Sequence, residues 1–239
     1  MIIIPARIGS SRFPNKVLAN IGGMPMVVRT AKAVEDIDDV VIATDSQEVI
    51  DIAHNHGIKA VLTSEKHKSG TDRIYEAAQK LGLDENEIII NVQGDEPFIE
   101  TEVVQAIYNL TKSNKENNHI MMNSCYKTIS NPEADDPNIV KVVTDTEDIA
   151  LYFSRAKVPY PRDHHFDAYK GHLGIYGFTV KSLRNFCMLT PAPLEDIEKL
   201  EQLRALYHGY EVAMVEVHTE SFGIDTPEDL EKALKHHNL

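Results

Sequence analysis

The chain begins with the stretch MIIIPARIGSSRFPNK, which runs from Met1 to Lys16. An apolar run over residues 2–4 leads directly into a loop with three cations, two hydroxyl groups and a glycine. Such a continuously apolar run is typical of a strand buried on both faces of a parallel sheet. The first 34 residues contain five basic residues and no acidic one, although the whole chain has a net charge of −13. We therefore expect the loop after the first strand to bind a group with several negative charges, such as a nucleoside triphosphate.

The same alternation of apolar runs and helical patterns continues through the first half of the chain. Nearly continuous apolar strands separated by helices predict an α/β fold whose mostly parallel central sheet is flanked by helices. Ligands of such sheets bind beyond the carboxyl ends of the strands, where the basic loop, Asp45 and the segment after Val92 are expected to meet. The predicted strands cover residues 40–44, 60–62 and 88–92, and the predicted helices cover residues 25–35, 46–56 and 71–81.

The second half predicts a different arrangement. Its strand patterns, at residues 139–144, 149–153, 173–179 and 211–217, alternate more and favour mixed or antiparallel pairing. Residues 193–208 and 226–237 have helical patterns, and residues 154–171 read as a long loop. We expect one domain over residues 1–239, in which approximately residues 125–180 form a smaller inserted lobe with a mixed sheet.

Composition and charge exclude several classes of function. An apolar content of 42% and a charged content of 26% are ordinary for a globular protein. The net charge of −13 argues against nucleic acid and anionic membranes as partners. No apolar run approaches the roughly 20 residues of a membrane span, and the start of the chain lacks a secretory signal, which predicts a cytoplasmic protein. Cys125 and Cys187 are far apart and are expected to be reduced thiols.

The loop from Arg7 to Lys16 has the chemistry of a phosphate site. Backbone N–H groups and hydroxyl groups of Ser10 and Ser11 could bind phosphate oxygens, while Arg7, Arg12 and Lys16 supply charge. The loop matches neither G-x-x-x-x-G-K-[ST] nor G-x-G-x-x-G, which argues against a P-loop NTPase or a dinucleotide-dependent dehydrogenase. A solvated turn is the alternative interpretation of the loop alone.

Two acidic positions are candidates for a cation site. Asp95 follows the apolar strand in Gln93-Gly94-Asp95, where a carboxylate can bind a hard cation such as Mg²⁺. Asp225, in Gly223-Ile224-Asp225-Thr226, is also a candidate N-cap of a helix. Each residue has a purely structural alternative, a polar turn for the first and a cap for the second. The functional interpretation depends on Asp225 facing Asp95.

Eight motifs in this order resemble the cytidylyltransferases that activate sugar acids with cytidine triphosphate (CTP), above all those specific for 3-deoxy-manno-octulosonate (KDO). The resemblance runs nearly from end to end. Single motifs are weak signals, but eight collinear ones are specific. They are I-P-A-R-x-x-S-S-R-F-P-x-K, H-K-S-G-T-D-R, N-V-Q-G-D-E-P, D-P-N-I-V-K-V-V, A-L-Y-F-S-R-A, H-L-G-I-Y-G-F, P-L-E-x-x-E-K-L-E-Q-L-R and G-I-D-T-P-E-D-L.

The resemblance implies a Rossmann-like nucleotide-diphosphosugar transferase fold and a homodimer joined through the inserted lobe. It implies the conversion of CTP and KDO to CMP-KDO and pyrophosphate for lipopolysaccharide assembly, with Mg²⁺ as cofactor. The catalytic set it implies is Arg7, Lys16, Asp95 and Asp225, with Asp95 and Asp225 as the metal ligands. The residues implied to bind the nucleotide are Arg7, Ser10, Ser11, Arg12, Lys16 and Ser69. Those implied to bind the sugar acid are Gln93, Arg155, His172, Glu201 and Gln202.

Three alternatives remain open at the level of sequence. The substrate could be sialic acid or an amino-substituted KDO instead of KDO. A nucleotide-sugar-binding protein without catalysis is a second alternative, against which Arg7, Lys16, Asp95 and Asp225 argue. A metal-dependent glycosyltransferase is the third, but it would need a D-x-D motif, and Gln93-Gly94-Asp95 does not supply one.

Overall fold

The computed structural model describes residues 1–9, 13–163, 166–237 and 239. The chain divides into two compact units, the first formed by Met1–Gln105 and Glu220–Leu239 and the second by Ala106–Thr219. The second unit includes all of the stretch 125–180 predicted as a lobe. Within the described ranges, no helix combines the length and the apolar composition that a membrane crossing requires.

The strands and helices follow one another in mixed order along the chain. The strands are β1 (Ile2–Ala6), β2 (Asn20–Ile21), β3 (Met24–Pro25), β4 (Val40–Thr44), β5 (Lys59–Leu62), β6 (Ile88–Asn91), β7 (Ile120–Ile129), β8 (Lys141–Thr144), β9 (Ala150–Ser154), β10 (Tyr169–Thr179) and β11 (Glu211–Glu216). The helices are α1 (Met26–Val34), α2 (Gln47–Asn55), α3 (Gly70–Leu81), α4 (Thr101–Asn114), α5 (Asn131–Ala134), α6 (Val180–Met188), α7 (Pro193–Glu198), α8 (Leu203–Tyr207) and α9 (Pro227–His236), and a 3-10 turn covers Lys16–Leu18.

The first unit contains a parallel sheet with the strand order β6-β1-β4-β5. Ile2, Ile3 and Ile4 of β1 have at most 1% of their surface exposed. Strand β1 is central in this sheet, which explains why its sequence is apolar without alternation. Helices α1 and α3 contact β1, and α2 contacts β4 and β5. The predicted α/β fold with a mostly parallel sheet is confirmed.

The second unit contains a mixed sheet, as its sequence patterns predict. Strand β10 is antiparallel to β7 and β8, while β11 is parallel to β7. Strand β9 pairs with β8 in an antiparallel hairpin.

One predicted helix is wrong in this unit. Residues 193–208 do not form a continuous helix, because α7 ends at Glu198 and the next residue, Lys199, adopts the left-handed conformation with φ 53°. The chain then turns, and α8 starts only at Leu203. The Arg204 side chain reaches back to the Glu195 carboxylate, with Nε to Oε2 at 2.8 Å. This buried ion pair links the two short helices.

Candidate active site

A cleft of about 270 Å³ lies in the first unit, next to the ends of β1 and β6. Its lining brings together six of the predicted site residues, although they come from four separate parts of the sequence. The predicted residues in the cleft are Arg7, Lys16, Ser69, Gln93, Asp95 and Asp225. Ser10, Ser11 and Arg12, which were predicted to bind the triphosphate, lie outside the described residues.

The two predicted metal ligands converge in this cleft. The Lys16 ammonium nitrogen lies 2.5 Å from Asp95 Oδ2 and 2.9 Å from Asp225 Oδ1. These two carboxylate oxygens are therefore no more than about 5.4 Å apart, the sum of the two distances. A main-chain hydrogen bond fixes this approach, since the N–H of Ile224 donates to the carbonyl oxygen of Asp95 at 2.9 Å. The arrangement that the functional interpretation of Asp225 requires is present.

Buried side chains hold the Asp225 segment in place. Ile224 has no exposed surface and packs in a cluster with Ile21, Met26 and Ala233. Thr226 caps α9, and its hydroxyl accepts a hydrogen bond from the N–H of Asp229 at 3.2 Å. The cap thus belongs to Thr226, which leaves the Asp225 side chain to face Lys16.

Lys16 acts as a cation between two acids. Burial by itself lowers the pKa of the Lys16 ammonium group, but Asp95 and Asp225 outweigh that effect and raise the pKa above its usual value. Lys16 is therefore fully protonated at neutral pH. Its side chain is only 11% exposed, so its charge acts in a partly desolvated place where it is screened little by solvent.

The acidic pair has the donor chemistry of a divalent cation site. Among the described residues, no group of three or more His, Cys, Asp and Glu side chains could hold a metal ion. One or two carboxylates suffice, however, for a hard cation that also takes phosphate and water oxygens. The Lys16 ammonium shows that Asp95 and Asp225 already hold a cation together. The two carboxylates fit a divalent cation shared with a phosphate group.

The start of α3 also lines the cleft. Ser69 is its N-cap, and its hydroxyl oxygen accepts a hydrogen bond from the N–H of Asp72 at 3.1 Å. A Cβ atom at Gly70 would lie 3.1 Å from Pro5 Cγ and 3.4 Å from Gln93 Oε1. Glycine therefore allows the start of this helix to approach β1 and the Gln93 side chain closely.

The structure also brings three of the predicted sugar-acid residues together, within the second unit. His172 lies on β10, where its ring contacts Phe153 edge to face with ring centroids 4.9 Å apart. The Tyr176 hydroxyl donates to Gln202 Oε1 at 3.2 Å. Burial raises the pKa of Tyr176 well above its usual value, and the nearby negative charge of Glu201 adds to the effect. His172, Glu201 and Gln202 are thus all neighbours of Tyr176.

Two polar side chains in this group leave hydrogen-bonding atoms for a ligand, as far as the described residues show. Gln202 is 2% exposed, and its Nε2 donor has no hydrogen-bond partner there. The hydroxyl of Ser124 lies 2.8 Å from the carbonyl oxygen of Ile175 and 3.0 Å from His172 Nε2. Since the hydroxyl has one proton, which the carbonyl accepts, we assign the proton of the neutral imidazole to Nε2. His172 Nδ1 is then an acceptor.

His172 is neutral in the folded protein. Desolvation by the surrounding residues lowers the pKa of its imidazole from about 6.5 to about 3. At neutral pH it can accept and donate hydrogen bonds but does not carry charge. These properties suit a contact with hydroxyl groups, which is consistent with the predicted role of His172 in binding the sugar acid.

Known proteins that are similar to this chain are cytidylyltransferases. The model of the cytidylyltransferase family matches residues 1–216. The 3-deoxy-manno-octulosonate cytidylyltransferase of a Nitratiruptor species is 59% identical over 232 residues, which are 97% of this chain and 97% of the relative. The enzyme of the same description from Wolinella succinogenes is 53% identical over 239 residues, 98% of each chain.

The chain belongs to the 3-deoxy-manno-octulosonate cytidylyltransferase family. The resemblance carried by the eight motifs is confirmed, and the protein is a nucleotidyltransferase. A solved structure of CMP:2-keto-3-deoxy-manno-octonic acid synthetase complexed with CTP is 38% identical and covers 100% of this chain and 98% of its own. Its TM-score of 0.90 confirms the nucleotidyltransferase fold.

In this cytidylyltransferase, sequence reasoning missed a buried ion pair at the cleft, whose lining includes Arg73. Arg73 is 2% exposed and donates from Nη2 to Asp45 Oδ2 at 2.8 Å and from Nη1 to Thr63 Oγ1 at 2.6 Å. The other oxygen of the Asp45 carboxylate accepts from the N–H of Ile8 at 3.2 Å. Arg73 thereby fixes the start of the basic loop through Asp45. Its position in the motif H-K-S-G-T-D-R was the available signal.

The cleft of this cytidylyltransferase contains a further cation that was not predicted. Lys68 lines the cleft together with Arg7, and both side chains are exposed. Within the described ranges, neither side chain forms an ion pair or a hydrogen bond. In contrast to Lys16 and Arg73, their charges are available to a ligand.

Proposed function

We propose that the protein joins CTP and KDO to form CMP-KDO and pyrophosphate, which activates the sugar acid for lipopolysaccharide assembly. The observation that carries this proposal is the convergence of Asp95, Asp225 and Lys16 in one cleft. It is supported by the 59% and 53% identity to relatives described as cytidylyltransferases for this sugar acid.

The cleft of the first unit binds the nucleotide. Arg7 and Lys68 are exposed cations without an ion-pair partner among the described residues, so they can bind triphosphate oxygens. Ser10, Ser11, Arg12 and Lys16 complete the phosphate site in the proposal, and Ser69 at the N-terminus of α3 contacts the nucleotide. The positive end of the helix favours a polar, electron-rich group there.

Asp95 and Asp225 hold a divalent cation, which we propose to be Mg²⁺. When bound, the cation supplies positive charge to the phosphate oxygens at which negative charge develops. Lys16 then donates its hydrogen bonds to phosphate oxygens in place of the two carboxylates. Its raised pKa keeps it protonated for this task.

The second unit contributes residues for the sugar acid. Arg155 binds the carboxylate of KDO, because a guanidinium group offers two parallel N–H donors to a carboxylate. His172 Nδ1 accepts a hydrogen bond from a sugar hydroxyl, and Gln202 Nε2, a buried donor without a described partner, donates one. Glu201 is a further proposed sugar contact of this unit, and the first unit contributes Gln93 to the proposed set of sugar-binding residues.

The reaction is an in-line displacement at the α-phosphorus. The anomeric hydroxyl oxygen of KDO forms the new P–O bond and gives its proton to water. The bond between the α-phosphorus and the oxygen that bridges to the β-phosphate breaks, and pyrophosphate leaves with the negative charge. Arg7 and Lys16 stabilise the charge on the leaving pyrophosphate. His172 takes no part in proton transfer in this proposal, because a pKa of about 3 makes its imidazole too weak a base to take the hydroxyl proton.

We propose further that the enzyme works as a homodimer in the cytoplasm, joined through the lobe at about residues 125–180. The second unit has several large apolar side chains at its surface, which supports an interface there. Leu151 and Tyr160 lie in the lobe itself, with exposed fractions of 59% and 83%, and Met188 and Ile197, at 75% and 76%, follow it in the same unit. Sedimentation equilibrium gives the oligomeric state.

A pyrophosphate-release assay tests the function. The purified protein is incubated with each of the four nucleoside triphosphates, with KDO or sialic acid, and with Mg²⁺ or EDTA. We expect release only with CTP, KDO and Mg²⁺ together. Absence of release from that mixture, or faster release with sialic acid, would overturn the proposal.

A further inference from the structure

Strand β8 contains a lysine with no exposed surface, Lys141. Its ammonium nitrogen donates to three main-chain oxygens, those of Asp136 at 2.9 Å, Ile139 at 2.6 Å and Arg155 at 2.7 Å. The three N–H donors thus meet three acceptors, which is what a buried ammonium group needs to offset its desolvation. Since an apolar side chain of similar size is often as stable in a protein interior, the charge points to a role beyond stability.

Lys141 supports Arg155 in two ways. It binds the carbonyl oxygen of Arg155 itself, and it also binds the turn from Asp136 to Ile139. Pro137 in that turn accepts a hydrogen bond from Arg155 Nη1 at 3.0 Å. One ammonium group therefore holds both the main chain of Arg155 and the turn against which its guanidinium group rests.

Glu198 holds the other side of the same residue. Its Oε2 accepts from the N–H of Arg155 at 2.9 Å, and its Oε1 accepts from the Ser154 hydroxyl at 2.8 Å. The main-chain oxygen of Glu198 accepts from Arg155 Nε at 2.7 Å. The amide, the carbonyl and two guanidinium nitrogens of Arg155 are thus all bonded.

The remaining donors of Arg155 form a suitable site for a carboxylate. A guanidinium group has five N–H donors, of which two are used by the carbonyl oxygens of Glu198 and Pro137 among the described residues. Three remain, two on Nη2 and one on Nη1. These present the end of the guanidinium group to a carboxylate as two parallel donors.

We propose that Lys141 and the Glu198 carboxylate are positioning residues, which fix Arg155 in the orientation that binds the carboxylate of the sugar acid. The task of Arg155 belongs to the proposed function, on which this inference rests. Neither positioning residue contacts the substrate. Their effect reaches the substrate only through the guanidinium group, where a small displacement weakens binding considerably.

Steady-state kinetics of Lys141→Met test the proposal. We expect KM for KDO to rise about 10-fold or more, while KM for CTP changes less than about 2-fold. Lys157→Met is the matched control, because Lys157 binds the Asp135 side chain at 2.9 Å and has no bond to Arg155 among the described residues. The control should leave both KM values unchanged.

A double-mutant cycle with Arg155→Ala tests separately whether Arg155 binds the sugar acid and whether Lys141 acts through Arg155. We expect Arg155→Ala alone to raise KM for KDO, and Lys141→Met to add nothing in that background. If Arg155→Ala leaves KM for KDO unchanged, the proposed task of Arg155 is wrong, and the positioning proposal falls with it. If Arg155→Ala raises KM and Lys141→Met does not, or if the two effects are additive, only the positioning proposal is overturned.

Glu198→Gln covers the case in which Lys141→Met does not fold. Glutamine has nearly the same size as glutamate, and the main-chain oxygen of residue 198 can still accept from Arg155 Nε. The glutamine side chain has only one oxygen, however, whereas both carboxylate oxygens of Glu198 accept hydrogen bonds. We expect the same selective rise in KM for KDO. An unchanged KM for KDO in this variant contradicts the proposal.

Discussion

The substitution of two glycines on the same strand should have effects of opposite sign. Gly174 and Gly177 both lie on β10, and neither has a positive φ, so the available space decides the outcome. A Cβ atom at Gly177 would lie 1.9 Å from Thr111 Oγ1 and 3.0 Å from Ile107 Cγ2, whereas a Cβ atom at Gly174 meets no atom within 4 Å. Alanine fits at Gly174 and not at Gly177.

The magnitude follows from the packing of α4 against β10. Thr111 is 1% exposed, and its hydroxyl donates to the carbonyl oxygen of Ile107 at 2.7 Å, so it cannot turn away without losing a buried hydrogen bond. Overpacking costs about 1–3 kcal/mol, and the lost hydrogen bond about 1 kcal/mol more. Because alanine has less backbone entropy than glycine in the unfolded chain, the substitution also offsets roughly 0.5–1 kcal/mol of this loss of stability. We expect Gly177→Ala to lower the free energy of unfolding by about 1–3 kcal/mol and Gly174→Ala to leave it unchanged or raise it by up to about 1 kcal/mol.

Urea-induced unfolding of the purified variants measures both values. Thr111→Ala in the Gly177→Ala background removes the closest atom and should recover about 1 kcal/mol or more of the loss. Equal stability of Gly174→Ala and Gly177→Ala would contradict this prediction. It would also be contradicted if the loss in the double variant equalled the sum of the losses caused by Gly177→Ala and Thr111→Ala alone.

Three further predictions concern the chemistry. Asp95→Asn and Asp225→Asn should each reduce kcat for pyrophosphate release by about 100-fold or more without unfolding the protein, whereas Glu228→Gln, the same kind of change on an exposed neighbour, should have no effect. Because His172 has a pKa of about 3 when folded and near 6.5 when unfolded, the unfolded state binds more protons between those values. Stability present above pH 6.5 is therefore lost as the pH falls, and wild type should lose about 2 kcal/mol more than His172→Gln between pH 7 and pH 5 in urea titrations. Gln202→Leu should raise KM for KDO about 10-fold and leave KM for CTP unchanged, and an equal rise in both would contradict its role as a sugar contact.

The parallel sheet could be predicted because burial on both faces leaves a mark in the sequence. Residues 2–4, 40–44 and 88–92 are largely apolar runs, and each corresponds to a strand of the first unit. The break between α7 and α8 could not be predicted from the sequence, because the left-handed residue there is Lys199 and not a glycine. The ion pair between Glu195 and Arg204 that links the two short helices is visible only in three dimensions.

The candidate site was predictable in its residue types but not in its connections. Family resemblance pointed to Asp95 and Asp225, but the main-chain bond that joins their segments uses Ile224, whose sequence gives no hint of a partner. The burial of Lys141 could not be predicted from the sequence for a related reason. A lysine in K-V-V-T reads as the polar side of a strand, and only the structure shows that its ammonium group is buried against main-chain oxygens.

The discontinuity of the first unit has a consequence for biosynthesis. Residues 1–105 leave the ribosome long before residues 220–239, and the whole second unit is translated in between. A nascent chain can form the strands around Asp95 early, but it lacks Asp225 until about 120 further residues have been added. The second unit therefore has time to fold before the first unit is complete, and we expect a translation product truncated before Asp225 to lack catalytic activity.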